Sequence, residues 1–266
     1  VVLKAGALKA GDWLRRAERD LPHGTSLVPL LGTEGAALVL APHPDDESLG
    51  CGGLLAACVA EHRQAMVVVV SDGAGSHPFS REWPPERMAA LRQAEARTAV
   101  VMLGLDPARQ LHFLELPDRA VPEHGAAFTA ALERLVLLAP KPPLTIFAAW
   151  RHDPHRDHAA THVLATALWR RLGEGVRLLE YPVWGMAHAH PIPGFPLPPA
   201  PCLTGPPQGY RLDVRAQLGT KRQAVAAHRS QLGLVVQDDP GGFVLPQAAL
   251  DLAFRDEELF LEMSDP

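Results

Sequence analysis

The chain has 266 residues, with 25 Lys and Arg against 30 Asp and Glu for a net charge of −5, and 47% of it is hydrophobic. That is enough apolar material for one sizeable core and argues against a second independent one. No block of five like charges points to nucleic acid or an anionic membrane surface, no apolar run approaches the ~18 residues of a membrane span, and Cys51, Cys58 and Cys202 show no CxxC spacing for a disulfide framework or a four-cysteine zinc site.

The start, Val1–Lys4, has no basic-apolar-small signal layout, so a cytoplasmic location is expected. Residues 1–34 read as an N-terminal extension with a short amphipathic helix near Asp12–Asp20, and 1–266 as a single domain. Ala36–Ala41 reads as a buried strand, followed by the polar segment 42–48, the Gly-rich stretch 50–53 and a helix over Leu54–His62. Met66–Ser71 is a second buried strand. Pro85–Gly104 is a helix with Met88, Leu91, Thr98, Val101, Met102 and Leu105 on its inward face, Pro at its start and Gly at its end. Gln110–Leu114 is a short strand, Ala126–Leu138 a helix with Phe128, Ala131, Leu132, Leu135 and Leu138 on one face, and Leu144–Trp150 another buried strand. A helix over His158–Leu172, a strand over Val176–Val183, a long Pro/Gly-rich loop over 185–209, a helix over Ala216–Gln231 and a helix ending the tail 248–263 complete the chain.

Continuous apolar strands alternating with helices predict an α/β protein: a Rossmann-like three-layer sandwich whose mostly parallel sheet is covered on both faces. Sites on such sheets form beyond the C-terminal ends of the strands. The two most polar segments lie there. The first is Pro42-His43-Pro44-Asp45-Asp46-Glu47 and the second is His152-Asp153-Pro154-His155-Arg156-Asp157-His158, with His162 one turn on. Three successive acids beside a His repel one another unless a cation offsets them, and imidazole with carboxylate suits zinc. The competing reading is a helix N-terminus, where acids cap well. Two such clusters after two buried strands of one sheet converge on one side, which favours the metal. Spacing does not say which His binds: His158 and His162 share a helix face, but no Glu stands between them to complete HExxH.

PHPDDE after a first strand with a later His-x-Asp-His resembles the PIG-L/LmbE-like deacetylase family over about residues 36–231. Weaker similarities lie at Ser71-Asp72-Gly73 with Ser76-His77-Pro78, the Arg92–Glu95 stretch, Leu116-Pro117-Asp118, and Lys221 through His228-Arg229-Ser230-Gln231. The resemblance implies a zinc-dependent hydrolase that removes acetyl from an N-acetylated amino sugar. It implies His43, Asp46 and His158 as metal ligands and Asp45 as general base. It implies His155 as the donor to the developing oxyanion, Asp157 as the acid beside it, and Arg92 and Asp118 near the sugar. Arg156 departs from the family's usual Pro without replacing a ligand. Zinc is the expected ion, with another divalent ion such as Fe2+ as the alternative. The expected partner is a small amino-sugar conjugate, and homo-oligomerisation and the aglycone stay open.

Gly50-Cys51-Gly52-Gly53 fails the GxGxxG fingerprint because Leu55 stands at its last position; close packing of a tight turn is the plainer reading. Cys51 reads as a buried small residue, His77 as a loop residue, and His188 and His190 as surface histidines. Trp184 reads as a core aromatic, although a sugar ring could stack on it. The competing functions are a zinc amidase acting on a thiol conjugate, an antibiotic or another acyl amide, and a non-catalytic sugar- or nucleotide-binding protein. A binding module has no use for a base beside a metal triad.

Overall fold

The computed structural model describes residues 6–263; Val1–Ala5, with the expected absence of a signal there, lie outside the described residues. The strands are β1 (Leu8–Lys9), β2 (His23–Gly24), β3 (Ala36–Ala41), β4 (Ala65–Ser71), β5 (Leu111–Leu116), β6 (Leu144–Ala149), β7 (Val176–Tyr181), β8 (Cys202–Leu203), β9 (Gly209–Asp213) and β10 (Glu257–Glu262). The helices are α1 (Ala10–Asp20), α2 (Val28–Leu31), α3 (Asp46–Ala60), α4 (Pro85–Met102), α5 (Gly125–Leu138), α6 (Arg156–Leu172), α7 (Leu218–Ala227) and α8 (Gln247–Ala253). The main sheet has eight strands in the order β2-β9-β10-β7-β6-β3-β4-β5. It is parallel except where β10 runs against β7 and β9. Among the described residues no helix is long and apolar enough to cross a membrane.

Period-two alternation divides the core. Ala37, Val39 and Ala41 of β3 face the cluster packed under α3, α4 and α7, while Ala36, Leu38 and Leu40 face the one under α5 and α6. The expected sandwich is therefore present, and its central strands fall within a residue or two of their expected bounds. From β3 the chain winds to β4 and β5 on one side, then crosses to β6 on the other. The segments after β3 and β6 thus flank the point where winding reverses, where such sheets open a crevice.

Four expectations are corrected. The helix expected from Leu54 begins at Asp46 and runs through the glycines. Those glycines pack closely, as expected, but within a helix rather than a turn: a Cβ on Gly50 would stand 2.3 Å from the Tyr181 ring, and one on Gly53 2.4 Å from Val214 Cγ1. The inward face of α4 is Met88, Arg92, Glu95, Ala96, Ala99 and Val100, whereas Val101 and Met102 are exposed. Helix α7 stops at Ala227, short of Gln231. The tail is α8 followed by the strand β10, whose Phe260 and Leu261 are fully buried, and β9 also goes unforeseen.

Glu258 of β10 reaches into the middle of α3. Its carboxylate accepts from the Gly53 and Leu54 N–H groups at 2.6 and 2.8 Å and from Lys221 Nζ at 2.8 Å, and both side chains are buried. Glu258→Ala would strand the Lys221 ammonium and two amides. Loss of about 3–5 kcal/mol is expected from that stranding. Urea unfolding measures it, and a change below about 1 kcal/mol would deny the pair this role.

Candidate active site

The turn after β3 and the turn after β6 bring the two polar segments together. Asp46 opens α3, and its Oδ2 accepts from the His43 N–H at 2.9 Å. The same oxygen lies 3.1 Å from His43 Nδ1 and 3.2 Å from His158 Nε2. His43 Nε2 stands 3.3 Å from both Asp118 Oδ1 and Asp157 Oδ2. The ring centroids of His43, His155 and His158 are 4.6–5.4 Å apart.

Among the described residues, two sets have all ligand atoms mutually within 4.8 Å: His43, His155 and His158, and His43, Asp118 and Asp157. The expected triad of His43, Asp46 and His158 is not itself such a set. In the second set the carboxylates are already satisfied, Asp157 by the Arg119 and Val121 N–H groups and Asp118 by that of Gly75. The first set carries the stronger signal. His158 is fully buried, and neither ring nitrogen has an aligned hydrogen-bond partner despite its carboxylate neighbours. With the ring neutral and its proton on Nδ1, the Nε2 lone pair facing a carboxylate oxygen at 3.2 Å is repulsive unless a cation draws both. One Asp46 oxygen thus stands between the two imidazole nitrogens, at 3.1 Å from His43 Nδ1 and 3.2 Å from His158 Nε2. Two imidazoles and a carboxylate in a buried cluster fit a divalent ion.

The charges are strongly perturbed. Burial disfavours a charged His43, yet Asp118, Asp157 and Asp46 hold its pKa well above the ordinary value. Burial opposes ionisation of Asp46, but His158 and His43 keep it well below the usual carboxylate range. Despite burial, Asp46 and Asp153 push His158 up to about 9.

Asp45 occupies the N-cap position of α3 but makes no capping bond with its side chain, so the capping reading of this acid fails. Its φ is +141°, a conformation that strains a residue with a Cβ. The Glu47 carboxylate holds it there, accepting the Asp45 N–H at 3.0 Å, and is itself fixed by Ser48 Oγ and by His228 Nε2 at 2.9 Å. Burial raises the Asp45 pKa to about 6, against the pull of Arg92. Arg92 lies 3.2 Å from Asp45 Oδ2 and donates to the Gly73 and Pro44 carbonyls, so its guanidinium braces Asp45.

His155 is the N-cap of α6. Its Nδ1 accepts the Asp157 N–H at 3.2 Å, which leaves the proton on Nε2. Burial, with His43 and His158 adding to it, lowers its pKa to about 4, so the ring is a neutral donor at pH 7. From the sequence spacing, Asp157 is expected to orient His155 or His158. Its backbone does this for His155, while its carboxylate turns to Arg119, Val121 and His43. His162 points away, to Glu180 at 3.1 Å. His190 pairs with Glu18 at 2.9 Å at the edge of the fold, and Cys51 is buried and belongs to neither ligand set.

These groups line a cleft of about 360 Å³. His43, Asp45, Asp46, Arg92, Asp118, His155 and Gln231 form a polar side, and Trp184, Phe195, Pro196, Pro198 and Phe243 an apolar one. Trp184 stacks on Phe195 with centroids 4.9 Å apart. Phe195, Pro196 and Pro198 bring part of the 185–209 segment to the cleft, and Trp184 is a wall of the cleft rather than only a core aromatic. Glu47, Asp153 and the apolar wall were not assigned roles from sequence; Glu47 lies inside the first acidic cluster and Asp153 inside the second.

Comparison with known proteins agrees with the geometry. Residues 38–169 match the family model described as PIG-L: GlcNAc-PI de-N-acetylase. A 1D-myo-inositol 2-acetamido-2-deoxy-alpha-D-glucopyranoside deacetylase from Saccharomonospora viridis is 30% identical over 231 residues, covering 73% of this chain and 84% of the relative. Its counterpart from Rhodococcus jostii is 26% identical, covering 75% and 82%. The fold is similar to a structure described as the zinc inhibited form of teicoplanin deacetylase Orf2, at 18% identity and a TM-score of 0.53, covering 75% of this chain and 86% of that one.

Proposed function

The chain belongs to the PIG-L/LmbE family of GlcNAc-PI de-N-acetylase-like deacetylases, and on that premise we propose how its cleft removes acetyl from an N-acetylglucosamine conjugate. The enzyme is an N-deacetylase, a hydrolase of an amide bond. The observation that carries the mechanism is the meeting of Asp45, Asp46, His43 and His155 in one cleft, with the buried His158 ring 3.2 Å from Asp46.

His43, Asp46 and His158 would hold the divalent ion, and zinc suits two imidazoles and a carboxylate. When bound, the ion supplies Lewis-acid polarisation of the amide carbonyl and lowers the pKa of water toward ~7. Asp45 takes the proton from the attacking water; its raised pKa lets it keep that proton and pass it to the leaving amine. His155 donates its Nε2 proton to the oxyanion as the carbonyl becomes tetrahedral. Asp118, fixed by the Gly75 N–H at 2.8 Å and by His43, offers its remaining lone pairs to sugar hydroxyls on the polar side. Arg92 keeps Asp45 in place. The apolar wall gives the conjugate a surface for the nonpolar face of a ring or an aglycone.

A second reading, an amidase acting on another acyl amide, is favoured by that same wall, which does not demand a sugar. Incubation with a panel of N-acetylglucosamine conjugates and simple N-acyl amides, reading released acetate, separates the two. Stripping the protein with a chelator should reduce the rate by at least about 10²-fold, with recovery on adding Zn2+ or Fe2+. Full activity in the stripped protein, verified metal-free by elemental analysis, would refute the metal assignment.

A further inference from the structure

We infer that Asp153 is the positioning residue for the His158 ring, and that through the same carboxylate it fixes the Trp184 wall of the cleft. The inference rests on the reading of His158 as a metal ligand.

Asp153 sits in the turn that follows β6, closed by its own N–H donating to the Trp150 carbonyl at 2.8 Å, and it is buried. Its two oxygens face different elements. Oδ2 accepts the N–H of Val183 at 3.0 Å and that of Gly185 at 3.1 Å, the residues on either side of Trp184. Oδ1 stands 3.3 Å from His158 Nδ1. Gly185 permits this approach: a Cβ there would lie 2.5 Å from Trp150 Cε3, so the strand-end turn and the 183–185 backbone can meet only with glycine at that position.

The chemistry follows from the donor inventory. Oδ2 is occupied by two amides, while Oδ1 has no aligned donor and faces His158 Nδ1 at 3.3 Å. A buried carboxylate oxygen is costly unless a proton faces it. His158 meets that need by carrying its proton on Nδ1, which leaves the Nε2 lone pair directed at Asp46 and the centre of the cluster. A carboxylate behind a ligating imidazole fixes its tautomer and orientation and raises its basicity, and its loss typically weakens metal binding 10–100-fold. Because the other oxygen holds the residues flanking Trp184, the ligand ring and the aromatic wall share one anchor.

Two variants separate the two functions. In Asp153→Asn an amide oxygen still accepts from Val183 and Gly185, but an NH2 now confronts His158 Nδ1. Zinc affinity, measured by competition with a chromophoric chelator, should fall roughly 10–100-fold, with KM at saturating zinc close to that of the original protein. Asp153→Ala removes both contacts and should also raise KM. Equal zinc affinity in Asp153→Asn and the original protein would overturn this inference while leaving the metal site intact; an original protein that binds no divalent ion would overturn the underlying reading as well. Should the variants fail to fold, the ring 15N signals of His158 in the unaltered zinc-loaded protein decide the matter. A protonated Nδ1 is expected, and a protonated Nε2 would overturn the inference.

Discussion

Asp45→Asn should retain one equivalent of zinc and lose most of its turnover, by roughly 10²–10⁴-fold, the usual contribution of a positioned acid–base group. The substitution is nearly isosteric, so Arg92 can still meet an oxygen, and the Asp45 N–H still has Glu47 to receive it. What is lost is the ability to carry a proton. Both halves of the reaction need it, the activation of water and the departure of the amine, so KM should change little while kcat collapses. Asp46→Ala is the contrasting variant. Its carboxylate touches the His43 and His158 imidazoles, so its removal should abolish zinc uptake itself. Turnover near the original level in Asp45→Asn, with zinc content verified, would require the base to be sought elsewhere.

The strained backbone of Asp45 explains why this position tolerates little change. A non-glycine residue at φ +141° persists only where its surroundings over-determine it. Glu47 and His228 are fully buried, and together they hold the N–H of Asp45 from beneath the helix. His228 comes from the end of α7, so a segment about 180 residues away in sequence braces the acid. The three acids of the PHPDDE segment thus have separate roles. Asp45 faces the cleft, Asp46 faces the imidazoles, and Glu47 points inward as support.

The sequence made the central sheet legible because β3, β4 and β6 are buried on both faces and so read as unbroken apolar runs. The two polar clusters were legible because each follows such a run. What stayed hidden was hidden for physical reasons. Strand β10 is a three-residue apolar run, Leu259–Leu261, flanked by glutamates, and its Glu258 spends its charge inside α3, a partnership no local pattern announces. The inward face of α4 is occupied at its site end by Arg92 and Glu95, so a search for apolar residues drifts to a neighbouring stripe, in which Met88 and Leu105 are buried but Thr98, Val101 and Met102 are exposed. Helix α3 runs through glycines that usually end helices, because Tyr181, Val214 and Lys221 fill the space side chains would take. Asp153 and the 183–185 backbone are 30 residues apart, and only the turn geometry joins them.

His155→Ala should lower kcat by roughly 10²–10³-fold, the cost of removing one oxyanion donor, with zinc affinity within a few-fold of the original. The expectation follows from the proton inventory of the ring. Nδ1 is committed to the Asp157 N–H as the cap of α6, and burial keeps the ring neutral, so Nε2–H is the single proton it can offer. The ring lies edge-on to His43 at 4.6 Å and lines the cleft, within reach of whatever the metal-binding cluster holds. The capping bond also sets the size of a purely structural effect: loss of an N-cap costs ~1 kcal/mol of stability. His155→Asn restores a capping acceptor without an imidazole. If capping were the whole of its role, Asn would rescue both stability and turnover; as an oxyanion donor, it should rescue stability and leave kcat depressed. Because His155 also falls in the tight set with His43 and His158, zinc stoichiometry must be read in parallel. Loss of zinc in His155→Ala would make it a ligand, and a kcat unchanged in both variants would leave it only the cap.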